Sequence, residues 1–231
     1  MVFRGFLGRL FDPHRGDVGR LVRAFPLALQ EDVRAASEVL PFENRTLRLA
    51  HGQAHYVDNF VSDYRPEVLK LRGEEVELPY RVYFEEPEQS VVSNLSEVQQ
   101  RIVSCIYLRH HNGFVRQKYL EKLIGASDHF ICPFTVQLIG EYVVEILYVV
   151  EKLITPAVLP EYAAFVASNQ FYWKQTESRM ISYWNEYYRR EFPKLGDYVG
   201  KRLVDRLSGA SRAVLDFNLG DTPNNDAGQS R

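Results

Sequence analysis

Two adjacent histidines, His110 and His111, precede Asn112-Gly113 at the end of a helical pattern. Imidazole titrates near neutral pH, so such a pair can supply a metal ligand or a general base. At a helix C-terminus the same rings also sit favourably against the carbonyl ends of the macrodipole. Adjacent side chains on a helix diverge by about 100°, so both reach one ion only where the turn bends them together. A second set is Gln137, Glu141 and Glu145, spaced i, i+4 and i+8 on one helical face and followed by Tyr148 and Lys152. Two carboxylates on one face, with a histidine from elsewhere, match the composition of a carboxylate metal site in a helical bundle. The Glu-x-x-His spacing of such sites is missing, and His129 lies at the start of the same expected helix, too far along its axis. The bland reading of the stripe is a solvated face. It also reads as an internal pairing of Glu141 or Glu145 with an arginine such as Arg116 or Arg179, which would fix helix register.

A third set is aromatic and basic. Both tryptophans of the chain and a run of tyrosines fall between Tyr162 and Tyr198. Trp173, Met180, Trp184, Tyr187 and Tyr188 share one broad helical face, whose default role is core packing. Tyr183, Tyr187 and Tyr188 together with Trp184 exceed what one face can bury. Tyrosine, tryptophan and arginine are also the residues of binding hot spots. Trp173, Arg179, Tyr183, Trp184, Tyr187, Tyr188 and Arg189 are therefore the expected partner-binding residues. Upstream, Glu74, Glu75, Glu77, Glu85, Glu86, Glu88 and Glu97 meet only Arg81. That acidic stretch either complements the basic helices within the molecule or docks a basic partner.

The elements that must position these groups fall into regions 1–41, 42–95, 96–207 and 208–231, expected to form one compact unit. Val18, Leu21, Val22 and Phe25, then Val33, Ala36, Val39 and Leu40, repeat at helical spacing, with Pro26 between the stripes and Pro41 after them. Thr46–Leu49, Val68–Leu71, Val76–Leu78 and Tyr80–Phe84 alternate as strands, with a turn at Arg72-Gly73-Glu74-Glu75. Pro79 places its strand at an edge or bulge. Ser96-Glu97-Val98-Gln99 is a capping box, Asn112 caps the next helix, and Gly125 ends it. Ser127 or Asp128 then caps a helix expected to run unbroken to about Ile154, with Pro133 in its first turn. Helices at about 160–167, 169–191 and 197–207 follow. The Gly-, Ser- and Asn-rich residues from 208 onward read as a disordered tail.

Two segments resemble half of a HEAT-type helical repeat, in which a polar turn leads into Val-Arg and then small and apolar residues. They are Gln30-Glu31-Asp32-Val33-Arg34-Ala35-Ala36-Ser37-Glu38-Val39-Leu40 and the looser Asn112-Gly113-Phe114-Val115-Arg116-Gln117-Lys118-Tyr119-Leu120-Glu121-Lys122-Leu123-Ile124-Gly125. Val33 and Val115 would pack on the neighbouring helix, while Arg34 and Arg116 would span the turn. Strand-like sequence separates the two, which argues against a continuous array. The resemblance implies a helical-hairpin scaffold that binds other proteins. The expected fold class is mostly α: a helical-hairpin array, HEAT-like or an irregular bundle, with a small β-hairpin or meander inserted.

Composition narrows the function classes. The 231 residues are 45% hydrophobic and 25% charged, a globular balance, and 28 basic against 30 acidic side chains give a net charge of -2. A dedicated nucleic-acid binder is usually visibly basic, so nucleic acid is disfavoured. Charges at Glu141, Glu145, Glu151 and Lys152 interrupt the most apolar stretch, so no transmembrane segment is expected. Phe3, Phe6, Leu7 and Leu10 form an amphipathic face that suits either a membrane surface or the domain itself. Cys105 and Cys132 read as buried small hydrophobes in a reducing, cytoplasmic setting. No phosphate loop, nucleophile elbow or zinc motif occurs, and no cofactor or resident metal is expected. The leading reading is a scaffold or interaction module that binds another protein, with self-association an option. The alternative is a metal-dependent or hydrolytic enzyme using Glu141 or Glu145 with His110 or His111. A nucleic-acid or membrane-surface binder comes third.

Overall fold

The computed structural model describes residues 15–42, 45–50 and 53–220, with side chains for 16–42 and 59–217. The amphipathic face at Phe3–Leu10 and the chain beyond 220 lie outside the described residues. Helix dominates, as its sequence pattern requires. The order is α1 (Arg15–Arg23), α2 (Gln30–Ser37), a strand-rich stretch, α3 (Gln89–Val92), α4 (Glu97–Tyr107), α5 (Gly113–Glu121), α6 (Cys132–Ile139), α7 (Val144–Leu153), α8 (Leu159–Ser168), α9 (Gln170–Tyr183) and α10 (Val199–Gly220). No helix among the described residues is long and apolar enough to cross a membrane.

Local signals account for most helix ends. Ser96 accepts from the Gln99 N–H while the Gln99 side chain accepts from the Ser96 N–H, so the capping box forms in full. Asn112 caps α5 through Phe114 N–H at 3.0 Å. Gly125, at φ +89°, supplies the left-handed step after α5 that a side chain resists. Pro133 falls in the first turn of α6, where its missing N–H costs nothing. Asp128 departs from expectation: it makes no cap and pairs instead with Arg101 at 2.9 Å.

Helix α6 is apolar all round, and each of its eight residues is buried. That is the pattern of a central core helix. Helices α7, α8, α9 and α10 pack around it. The expected continuous helix to Ile154 does not form; α6 ends at Gly140, and Glu141–Val143 turn the chain before α7 begins. Glycine favours such an end, weakening a helix by about 1 kcal/mol relative to alanine, and a Cβ at Gly140 would make only ordinary contact, 3.4 Å from Thr176 Cγ2 and 3.5 Å from Arg179 Cβ.

The strand-rich stretch is three antiparallel pairs among the described residues. β1 (Arg45–Ala50) pairs with β2 (Gln53–Asp58), β3 (Phe60–Val61) with β6 (Val82–Tyr83), and β4 (Glu67–Leu71) with β5 (Glu74–Leu78). Arg72 and Gly73, at φ +50° and +88°, form the two-residue β4–β5 turn, which matches the twist of the flanking strands. Pro79 lies just beyond β5. On the outer edge of β4, the Asn169 side-chain amide donates to Lys70 O and accepts from Lys70 N–H, both at 2.8 Å. Strand β6 is stitched to the end of α4: Val82 N–H donates to Arg109 O at 2.9 Å, and His111 N–H donates to Val82 O at 3.2 Å.

The C-terminal region corrects the sequence reading. Where the last helix was expected to stop at 207, α10 continues to Gly220. Leu207 and Ser211 are buried one turn apart, and Ser208 Oγ accepts from the Trp173 indole at 2.9 Å. Ser208 and Ser211, which resemble a tail by composition, thus lie on the side of α10 that faces the rest of the molecule.

Candidate functional site

The turn between α6 and α7 organises two groups of side chains, one inside and one outside. Inside, Glu141 is 5% exposed and meets three arginines. Arg116 Nη2 lies 2.8 Å from Oε2, Arg81 Nη2 lies 3.0 Å from Oε1, and Arg109 Nη1 lies 3.6 Å from Oε1. These are ion-pair distances without in-line hydrogen-bond geometry, so charge more than directed bonding holds the carboxylate. The arginines also reach backbone. Arg109 donates to Pro79 O at 2.9 Å and to Tyr80 O at 2.5 Å, and Arg116 donates to His110 O at 2.8 Å and His111 O at 3.1 Å. One carboxylate thereby ties together the β5–β6 connection, the end of α4, α5 and the α6–α7 turn. Burial, with Arg81 alongside, lowers the Arg109 guanidinium to about 10, and burial also lowers Arg116. Both remain charged at neutral pH, so the cluster keeps an excess of positive charge.

The histidines join a different network. His110 Nδ1 accepts from Asn112 N–H at 3.1 Å, which leaves the proton on Nε2 to donate to Phe84 O at 2.9 Å. Burial, opposed by those hydrogen bonds, holds its pKa below the ordinary 6.5. His111 is exposed and stacks on Tyr83 with ring centroids 5.3 Å apart. The Gln137–Glu141–Glu145 face does not survive the turn. Gln137 is buried and accepts from the Tyr172 hydroxyl, Glu141 faces arginines, and Glu145 is exposed in the first turn of α7. Glu141 is joined to His110 and His111 through Arg116, which bonds their backbone carbonyls rather than their rings. Among the described residues no three His, Cys, Asp or Glu side chains approach closely enough to hold a metal ion. Cys105 and Cys132 are buried free thiols, pushed up by burial and away from nucleophilic character.

Outside, the residue after Glu141 begins an aromatic face. Helix α9 passes at Trp184 into a π-helical turn, Trp184–Tyr188, whose wider winding changes the phase of the side chains. Tyr187 is thereby 60% exposed, and it meets Tyr183 from α9 and Tyr142 from the α6–α7 turn. The three ring centroids form a nearly equilateral triangle: Tyr142–Tyr183 6.0 Å, Tyr142–Tyr187 6.1 Å and Tyr183–Tyr187 6.1 Å. Tyr188 anchors it. Its hydroxyl donates to Tyr142 O at 2.5 Å and accepts from Val144 N–H at 3.1 Å, while its ring stacks 5.4 Å from the buried Tyr198.

The expected partner-binding set divides accordingly. Tyr183, Tyr187 and Tyr188 are brought together. Trp184 is half-buried, donating its indole N–H to Phe192 O at 2.9 Å, with Arg189 5.9 Å from its ring. Arg179 pairs with Glu67 at 3.6 Å. Trp173 is a correction: it is 4% exposed and belongs to the core, because the phase change separates its side of α9 from Tyr187. Sequence reasoning missed Tyr142, Arg81 and Arg109. Gly140 before Glu141-Tyr142 was the available signal for Tyr142, whereas the two arginines come from distant elements and left none. A comparison with family models, curated proteins and solved structures finds no match.

Proposed function

We propose that this protein is an interaction module that engages another protein through the tyrosine face formed by Tyr142, Tyr183, Tyr187 and Tyr188. The observation that carries this reading is the exposure of Tyr142 and Tyr187, at 53% and 60%, within a three-ring cluster built from two separate elements. Large aromatic rings held rigidly at a surface lose little conformational freedom on binding and offer much apolar area. The arginine cluster beneath supplies that rigidity, since it fixes the turn that carries Tyr142. A HEAT-like array is no part of the reading, because three strand pairs lie between the two segments that prompted it.

The test is site-specific photocrosslinking. A photoreactive phenylalanine at position 187 should capture a discrete partner in native extract, and the same probe at Phe171, a still more exposed ring at the start of α9, should not. The captured protein, purified, should then lose binding at least tenfold to Tyr187→Ala. Equal capture from both positions, or undiminished binding by the variant, overturns the reading.

A further inference from the structure

We infer that Arg81, Arg109 and Arg116 form a binding site for a phosphate-class dianion, which engages the three guanidinium groups beside Glu141. The site goes beyond the interaction surface and does not depend on it.

Charge is the first support. Three guanidinium groups meet one carboxylate. Among the described residues, Arg81, Arg109 and Arg116 each come within ion-pair distance of Glu141 and of no other acidic side chain. The side chains of Arg109 and Arg116 keep 2% of their surface and that of Glu141 keeps 6%, so water screens the surplus of two positive charges poorly. The backbone carbonyls that these arginines reach, at Pro79, Tyr80, His110 and His111, offer partial charge and leave that surplus in place.

Unfilled donors are the second. Arg109 Nη1 and Arg116 Nε are buried without a hydrogen-bond partner, and neither oxygen of Glu141 accepts an in-line hydrogen bond. Glu141 lies 2.8 Å from Arg116, 3.0 Å from Arg81 and 3.6 Å from Arg109. A planar carboxylate thus lends charge to three forks without matching the geometry of any. A tetrahedral oxyanion presents acceptors in several directions, and the guanidinium fork suits phosphate oxygens. Its two charges equal the surplus, and orphaned donors inside a positive cluster are what such an ion satisfies. Arg81 is the side open to solvent. Its side chain retains 19% of its surface and leans over the exposed Tyr80 ring, 5.2 Å from the centroid.

The experiment titrates the whole chain with inorganic phosphate by calorimetry, at an ionic strength held constant with potassium chloride. Acetate and N-acetyl-phosphoserine amide are the comparison probes. Phosphate should bind saturably at one site per chain, at least tenfold more tightly than acetate, a planar monoanion. Arg81→Gln changes the least buried of the three arginines; it should weaken phosphate at least tenfold while unfolding stays cooperative. Glu141→Gln removes a negative charge that repels the ligand. It should bind phosphate at least threefold more tightly, and phosphate should raise its unfolding midpoint more than that of wild type. The phosphoserine amide separates two sources of the same chemistry. Binding equal to phosphate assigns a phosphoryl group carried on a larger molecule, weaker binding assigns the free ion, and either supports the site. No saturable binding to wild type, equal binding of acetate, or phosphate binding unchanged by Arg81→Gln overturns it.

Discussion

Glu141 and Tyr142 are consecutive in the chain and occupy opposite settings. Glu141 is 5% exposed among three arginines, and Tyr142 is 53% exposed beside two further tyrosines. One short interruption of a helix therefore serves both, by turning one side chain inward and the next outward. The inner group is fixed by charge that cannot escape to water; the outer group is held by one hydroxyl and otherwise by ring contact. Substitutions inside should consequently affect stability, and substitutions outside should affect binding. The two regions differ in which quantity each was shaped to protect.

The strongest way to break that contrast is Glu141→Ala. It leaves three guanidinium groups facing one another without a counter-charge, and removing one partner of a buried pair costs about 3–5 kcal/mol. Urea unfolding should show a loss of that size; a loss under 1 kcal/mol would mean the cluster is more hydrated than its burial indicates. Next comes Gly200→Ala. The added Cβ would approach Tyr198 Cε1 to 2.6 Å and Met180 Cγ to 2.8 Å, and such overpacking costs about 1–3 kcal/mol. Because Tyr198 stacks under Tyr188, this variant should weaken partner binding as well as stability. Its binding loss, compared with that of Glu141→Ala, measures how far the two regions communicate.

Tyr188→Phe removes the hydroxyl that joins Tyr142 O to Val144 N–H. An expected loss of about 1 kcal/mol in calorimetric unfolding should accompany a several-fold drop in partner binding as Tyr142 loosens. Acid provides a gentler probe of the inner side. The folded His110 ring resists protonation, whereas the unfolded chain titrates it near the ordinary 6.5, so the unfolded state binds the extra proton first. Stability is complete above that value and declines as pH falls through the window between it and the lower folded pKa. Urea midpoints at pH 7.5 and 5.5 should show the decline, and His110→Asn should flatten it. The smallest effect on stability belongs to Tyr187→Ala, expected within about 0.5 kcal/mol of wild type, although it should weaken partner binding at least tenfold.

Much of this arrangement was legible in the sequence. Ser96 and Asn112 declared their helices because capping is local. The pairing of Glu141 with Arg116 was among the readings of its stripe, because a carboxylate in an apolar run needs a counter-charge. Arg81 and Arg109 were not legible, since their meeting with Glu141 depends on packing between elements far apart in the chain. The turn at Gly140 was easily passed over because the apolar pattern continues across it, although a glycine within a helical pattern is itself a stop signal. The π-helical turn was hidden for a related reason. Hydrophobic spacing presumes a constant winding, so Trp173 and Tyr187 seemed to share a face that the wider turn divides. The extension of α10 was obscured because Gly209 and Ser211 suit a loop by composition, yet Ser211 is buried on the packed side of the helix.

The amide of Asn169 has a consequence for how this protein behaves in a crowded solution. By saturating both main-chain groups of Lys70, it occupies the slot into which a strand from another molecule would dock. A lone hairpin with an open border would invite end-to-end ribbon growth, and a single side chain closes that border at its middle. The molecule can thus display sticky rings on one flank while keeping the backbone of its β4 border out of reach of its own copies.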